Sequence, residues 1–203
     1  MPNKVVPILA VLFILPMSLS CGSASGGQST VKKWSSPPTM AIDQNKSYTA
    51  VIDTTAGQMK AELFAKEAPN TVNNFVFLSR QGFYDGIVFH RIIRGFMIQT
   101  GDPQGTGRGG PGYSFADELP RTREYTAGTL AMANAGPNTQ GSQFFIVHRD
   151  YSLPKNYTIF GKLTSGMDVL DKLANSPVQQ SPSGESSVPT QDVRMTRVTI
   201  EER

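Results

Sequence analysis

Cysteine is all but missing: a single one, Cys21, stands in 203 residues, which excludes an internal disulfide framework and a cysteine-built zinc site. Histidine is nearly as scarce, with only His90 and His148, and no carboxylates cluster near either, so no metal site is expected. His90 lies in an apolar run and is expected to be a hydrogen-bonded structural side chain; His148 is expected to be exposed at a strand end. Positive charge exceeds negative only slightly, at +3 with a pI near 9.0. Lys and Arg form no run, and the aromatics do not interleave with them, so nucleic acid is not an expected partner. No uninterrupted apolar stretch reaches the roughly 20 residues that a helix needs to cross a bilayer.

Two motifs can be tried on what is present. Gly105-Thr106-Gly107-Arg108-Gly109-Gly110 has the spacing of a dinucleotide-binding turn, but Pro111-Gly112 follows at once, so no helix begins there to receive a phosphate. His90, Asp102 and Ser142 are the residue types of a hydrolase triad, yet Ser142 lacks the G-x-S-x-G turn that would expose it.

The start of the chain is more informative. Lys4, an apolar run from Val5 to Leu15, and small residues before Cys21-Gly22-Ser23 have the layout of an export signal over residues 1–20. A small residue followed by cysteine resembles the lipobox of bacterial lipoproteins, in which the cysteine is acylated. Ser18 and Leu19 depart from that pattern, standing where an aliphatic and a small residue are usual. The resemblance implies lipidation at Cys21 and a protein of the cell envelope held at a membrane surface; the alternative is an ordinary secreted protein cut nearby, leaving Cys21 as a stray thiol. Residues 21–46, rich in Gly, Ser, Gln and Pro, read as a flexible tether.

From residue 47 to 203 the pattern is that of one domain. Tyr48–Thr54 and Met59–Phe64 are expected strands joined around Ala56-Gly57. Pro69 opens an expected helix whose Val72, Phe75, Val76 and Ser79 share a face, with Gly82 ending it. Strand-rich stretches follow at 86–101, 142–148 and 157–163, then a short helix over 165–174, a long surface loop at 175–191 and a closing strand at 193–201. Many strands and only two helices suggest a mainly β domain: a closed antiparallel barrel capped by helices, or an α+β sandwich.

Two segments carry the densest chemistry. Phe89-His90-Arg91-Ile92-Ile93-Arg94-Gly95-Phe96-Met97-Ile98-Gln99 puts a cation, an amide and large apolar side chains together. Arg91, Met97 and Gln99 share strand parity, whereas Phe96 joins them only if Gly95 bends the chain. Leu130 to Ile146 combines small residues, past which a peptide backbone can approach closely, with Gln143 and Phe145 on one strand face. Together these segments, with Thr158-Ile159-Phe160-Gly161-Lys162, resemble the signature of the cyclophilin-type prolyl isomerases over most of 48–201.

That resemblance implies a closed eight-stranded antiparallel β-barrel capped by two α-helices. It also implies acceleration of X-Pro bond rotation without a covalent intermediate, metal or cofactor. By resemblance Arg91 is the catalytic residue. Phe96, Met97, Phe145 and Leu153 receive the proline ring, and Gln99 orients Arg91 and the substrate carbonyl. Asn134, flanked by Ala133 and Ala135, pairs with the peptide; Gln143 lines the same groove, Gly105 belongs to a bordering loop, and Tyr157 stands at the rim. Ser152 and Tyr157 replace a tryptophan and a histidine common in drug-sensitive members, which puts cyclosporin binding in doubt, and Arg94 stands where many members have proline. The expected substrates are proline-containing segments of exported polypeptides, the expected state is a monomer, and the alternative is a non-catalytic proline-peptide binding module or envelope chaperone.

Overall fold

The computed structural model describes residues 32–119 and 122–203. The expected signal segment 1–20 and the candidate lipidation site Cys21 lie outside the described residues.

The chain opens with β1 (Tyr48–Thr54) and β2 (Gly57–Leu63), paired in antiparallel register from Tyr48↔Leu63 to Thr54↔Gly57. Helix α1 (Pro69–Arg80) follows, beginning at a proline that has no amide hydrogen to leave unpaired. Its preceding residue, Ala68, has no side-chain acceptor, and a distant carboxylate takes over. Glu118 accepts the N–H groups of Asn70 and Thr71 at 3.0 and 2.8 Å, and the Thr71 hydroxyl as well. A carboxylate at this end also complements the helix dipole. Val72, Phe75, Val76 and Leu78 are fully buried against the sheet.

Next come β3 (Arg91–Ile93), β4 (Met97–Thr100), β5 (Thr129–Met132), β6 (Phe144–Val147) and β7 (Ile159–Ser165), then helix α2 (Met167–Ala174), β8 (Val178–Gln180), β9 (Ser186–Pro189) and β10 (Met195–Glu202). Eight strands form one antiparallel sheet in the order β10-β1-β2-β7-β5-β6-β4-β3. The expected closed barrel is corrected here: the sheet is a curled half-barrel, open between β10 and β3. Among the described residues those edges are joined only by the bridge Val88↔Arg194 and neighbouring backbone bonds such as Phe89 N–H to Val193 O. With β3 only three residues long, no continuous ladder can form across the gap.

Two apolar clusters lie on opposite faces of this sheet. Ile98, Leu130, Met132, Phe144 and Ile146 point into the main core with α1 and α2, while Met97, Ala131, Phe145, Val147 and Ile159 point to a second cluster on the other face.

The stretch 175–191, expected as a long surface loop, is instead the two-stranded hairpin β8–β9. Residues 32–46, expected to belong to the flexible tether, are tied down. Trp34 packs edge-on against Phe77 at 5.3 Å and against Phe83 at 5.9 Å, and its N–H bonds Pro111 O at 2.8 Å. The lone tryptophan is thus spent on attachment. Trp34→Ala is expected to cost about 2 kcal/mol, read as a fall in Tm of roughly 4–8 °C in a thermal melt.

Candidate active site

The hairpin β3–β4 sets Arg91 opposite Gln99, Ile92 opposite Ile98 and Ile93 opposite Met97. Cross-strand partners share a face, so Arg91, Ile93, Met97 and Gln99 project together. The expected parity is observed, but the segment is a turn between two strands rather than one bent strand. Gly95, in the left-handed region at φ +86°, makes that turn. Phe96 is thereby brought onto the second apolar cluster, beside Met97, Phe145, Leu153, Tyr157 and Ala133. Phe145 meets Tyr157 edge-on at 5.5 Å.

His148 fixes this turn. It is 2% exposed, not at the surface as expected; its Nδ1 accepts the Gly95 N–H at 3.0 Å and its Nε2 lies 2.7 Å from Asp171 on α2. An acceptor at Nδ1 leaves the proton on Nε2, which donates to the carboxylate. The bond to His148 holds the Asp171 carboxyl below its usual range, helped by Arg149. A strand end closed by a turn and a helix has no solvent to offer, which is why the side chain is buried. His90 departs from expectation too. Neither ring nitrogen has a hydrogen-bond partner among the described residues, and burial lowers its pKa, keeping the ring neutral. The glycine-rich loop crosses here: a Cβ on Gly107 would stand 3.8 Å from the imidazole.

A line of polar side chains runs from Arg91 across the sheet. Arg91 Nη1 donates to Gln99 Oε1 at 3.4 Å, Gln99 Nε2 to Gln143 Oε1 at 3.0 Å, and Gln143 Nε2 to Gly109 O at 2.9 Å. Each amide accepts from the Arg91 side and donates away from it, so both are fixed in orientation. At the far end, buried Asp102 gathers the N–H groups of Gln104, Thr106 and Arg108 at 2.7, 2.9 and 3.1 Å. Burial pushes its pKa up, but the surrounding backbone N–H groups outweigh that and hold it below the usual value. A Cβ on Gly109 would lie 1.9 Å from Asp102 Oδ1, so only glycine lets the loop close this tightly. The glycine run is therefore a carboxylate-organised turn.

Gln99, Gln143, Ala133, Asn134 and Ala135 line a groove of about 730 Å³ together with Gly107, Gly109 and Lys33. Arg91, Phe96, Met97, Phe145 and Leu153 are not part of that lining; half-buried Phe96 and Leu153 cover the second apolar cluster, in which Met97 and Phe145 are buried. Gly105 lies in the same loop without lining the groove. Tyr157 lines a neighbouring cavity of about 350 Å³, which Asn134 shares. Asn134 is pinned by its side chain, which donates to Asn156 O at 2.8 Å, whereas among the described residues its own N–H and carbonyl have no partner. That is the arrangement an incoming extended backbone requires. Among the described residues no group of three or more His, Cys, Asp or Glu side chains is placed to hold a metal.

Sequence reasoning missed two residues. Tyr151 stacks on Phe96 at 4.3 Å between ring centroids and is 47% exposed, so it extends the apolar surface outward. Glu185, in the turn of β8–β9, grips Arg91 in a two-pronged ion pair: Nε to Oε2 at 2.7 Å and Nη2 to Oε1 at 2.8 Å. Nothing in the sequence marks it as a partner of Arg91 beyond its being the only acid between Asp171 and Asp192.

The family model for cyclophilin type peptidyl-prolyl cis-trans isomerases matches residues 49–200. The peptidyl-prolyl cis-trans isomerase CYP18-1 of Arabidopsis thaliana is 45% identical over 154 residues, covering 73% of this chain and 93% of that protein. The probable peptidyl-prolyl cis-trans isomerase B of Mycobacterium tuberculosis is 44% identical over 165 residues, covering 73% of this chain and 53% of that protein. A crystal structure of a Cryptosporidium parvum cyclophilin, determined in the presence of the dipeptide Ala-Pro, superposes with a TM-score of 0.69 at 40% identity, over 76% of this chain and 99% of that one. Sequence and backbone agree over about three quarters of the chain, with the family model spanning 49–200: the chain belongs to the cyclophilin family of peptidyl-prolyl cis-trans isomerases.

Proposed function

We propose that Arg91 is the catalytic residue, acting on X-Pro bonds of exported polypeptides at a membrane surface. The observation that carries the catalytic half is the cross-strand pair Arg91–Gln99 at the border of the apolar surface made by Phe96, Met97, Phe145 and Leu153. The proline ring rests on that surface, with Tyr157 at its rim. The peptide backbone pairs with Asn134 between Ala133 and Ala135, and Gln143 and the loop containing Gly105 border its path. Arg91 then donates to the prolyl nitrogen as that atom pyramidalises, withdrawing its lone pair from the carbonyl. Arg94 is exposed and has no part in this. The test is exchange spectroscopy of a short Ala-Pro peptide with the wild-type chain and with Arg91→Ala; equal rates for the two would refute the assignment.

What supports the second half is the layout of residues 1–20 and the cysteine that follows them. Cell fractionation is expected to find the wild-type chain with membranes and Cys21→Ser released to the soluble fraction. Recovery of the wild type in soluble fractions alone would refute lipid anchoring. Substrates are then those exported chains that present extended X-Pro segments, and the domain works on them as a monomer.

A further inference from the structure

The β8–β9 hairpin carries a residue whose placement the assignment of Arg91 does not explain. Glu185 is held before it meets Arg91. Its N–H donates to Ser181 Oγ at 3.2 Å, its carbonyl accepts the Ser181 N–H at 2.8 Å, and Gly184 N–H bonds Ser181 O at 2.9 Å, so the turn is closed on itself. Ser187, two residues along β9, is 2% exposed, and β9 lies against β3, the strand that bears Arg91. A fixed turn thus presents a fixed carboxylate to a long, otherwise mobile side chain.

How the donors are shared is decisive. A guanidinium has five N–H donors in a rigid plane. Glu185 takes the Nε–H and one N–H of Nη2, along the side edge of the fork, and Gln99 takes one from Nη1. One N–H on each terminal nitrogen is left over. The side edge is occupied by Glu185, and the donors that remain for a substrate lie on the two terminal nitrogens. With Arg91 taken as the catalytic residue, the geometry points to Glu185 as its positioning residue: the carboxylate fixes the guanidinium plane and presents the remaining donor pair to the twisting prolyl peptide bond.

The pair does not hold the fold together. Its side chains are 35% and 38% exposed, and ion pairs that wet contribute little to stability. The Arg91 guanidinium nevertheless pulls the Glu185 carboxyl down to about 2, so the carboxylate is charged throughout the working pH range. Orientation lost from a transition-state donor shows in turnover rather than in binding. A competing carboxylate, displaced by each substrate, would show the opposite: its removal would tighten binding and raise kcat/KM.

The experiment is two-dimensional exchange NMR of an Ala-Pro peptide over a range of concentrations, on the full chain and on Glu185→Gln, Glu185→Asp and Arg91→Ala. Expected for Glu185→Gln is a fall in kcat of about tenfold with KM changed less than about twofold. Glu185→Asp, which keeps the charge on a shorter arm, is expected to recover part of the loss. The Arg91 Nε–H resonance is expected to exchange slowly in the wild type, where it bonds Glu185, and to broaden in Glu185→Gln while the melting temperature stays put. Unchanged or higher kcat/KM in Glu185→Gln, alongside an inactive Arg91→Ala, would overturn the positioning role alone. An Arg91→Ala chain as fast as wild type would overturn it together with the catalytic assignment on which it rests.

Discussion

Replacing Arg91 with alanine is expected to cut kcat/KM for a short X-Pro peptide by about 10²–10³-fold while leaving the melting temperature within a degree or so of wild type. The size follows from what the bond resists. Partial double-bond character sets a rotation barrier of roughly 18–20 kcal/mol. A donor aimed at the prolyl nitrogen gains strength only as that atom loses planarity, and an interaction of that kind lowers the barrier without deepening the ground state. A total acceleration of ten thousand to a hundred thousand requires about 5–7 kcal/mol. One preorganised donor aimed at developing charge supplies about 2.7–4 kcal/mol of such stabilisation in other enzymes, leaving the remainder to the proline surface. Arg91→Lys is the sharper variant. It keeps the charge but not the planar fork that meets Gln99 and Glu185 at once, so it should recover little of the lost rate.

The second large effect is on stability. Asp102→Ala removes the acceptor for three backbone N–H groups and the Thr106 hydroxyl. Hydrogen bonds to a buried charge are worth about 1.5–3 kcal/mol each, though water entering the loop recovers part of that. A net loss of about 3 kcal/mol is expected, or roughly 6–12 °C in Tm. Folding lowers the Asp102 pKa, so the native state takes up this proton less readily than the unfolded chain. Its stabilisation is complete above the unfolded value near 3.8 and fades as the pH falls through the native one. Urea titrations of wild type and Asp102→Ala should therefore converge on acidification. Curves that stay equally far apart down to pH 2 would contradict this reading of the loop. The groove should loosen with it, because Gln143 is anchored on Gly109 O at 2.9 Å.

How much of this could be read beforehand depended on how each residue earns its place. β1 and β2 were legible because they are bounded by a turn and pair locally, and α1 because its apolar face has a helical period. β5 escaped notice for a physical reason. Thr129, Leu130, Ala131 and Met132 are all buried, packed on both faces of the sheet, so no alternation marks them as a strand. The parity of Arg91, Met97 and Gln99 was accessible from strand geometry alone. Most of the remaining site residues were reached through the family signature, since their proximity arises from strands far apart in sequence. Glu185 was out of reach of both, because a hairpin in a Ser/Pro/Gln-rich stretch has neither apolar period nor family pattern. The opposite error befell His148 and residues 32–46: a side chain at a strand end looks exposed and a Gly/Ser/Pro-rich stretch looks like a flexible tether until a turn, a helix or a loop is found against them.

The two-faced burial of β4, β5 and β6 also bears on how the chain finds its pairing. In a sheet with one wet face, a slip by one residue drives apolar side chains into water and is punished at once. Here a slip exchanges one greasy surface for another, and burial alone discriminates poorly between right and wrong alignments. Discrimination falls to sparse checkpoints. A misaligned β4 and β6 would separate the Gln99 and Gln143 amides, which bond at 3.0 Å. Beyond the strand end, Gly101 passes beneath the Ser142 carbonyl, where any Cβ would stand 2.2 Å from the oxygen. A slipped chain would press Thr100 or Asp102 against that carbonyl. The groove amides and the absent side chain at Gly101 thus act as proofreaders of strand alignment, and an enzyme that corrects the proline bonds of other chains relies on them to form its own sheet.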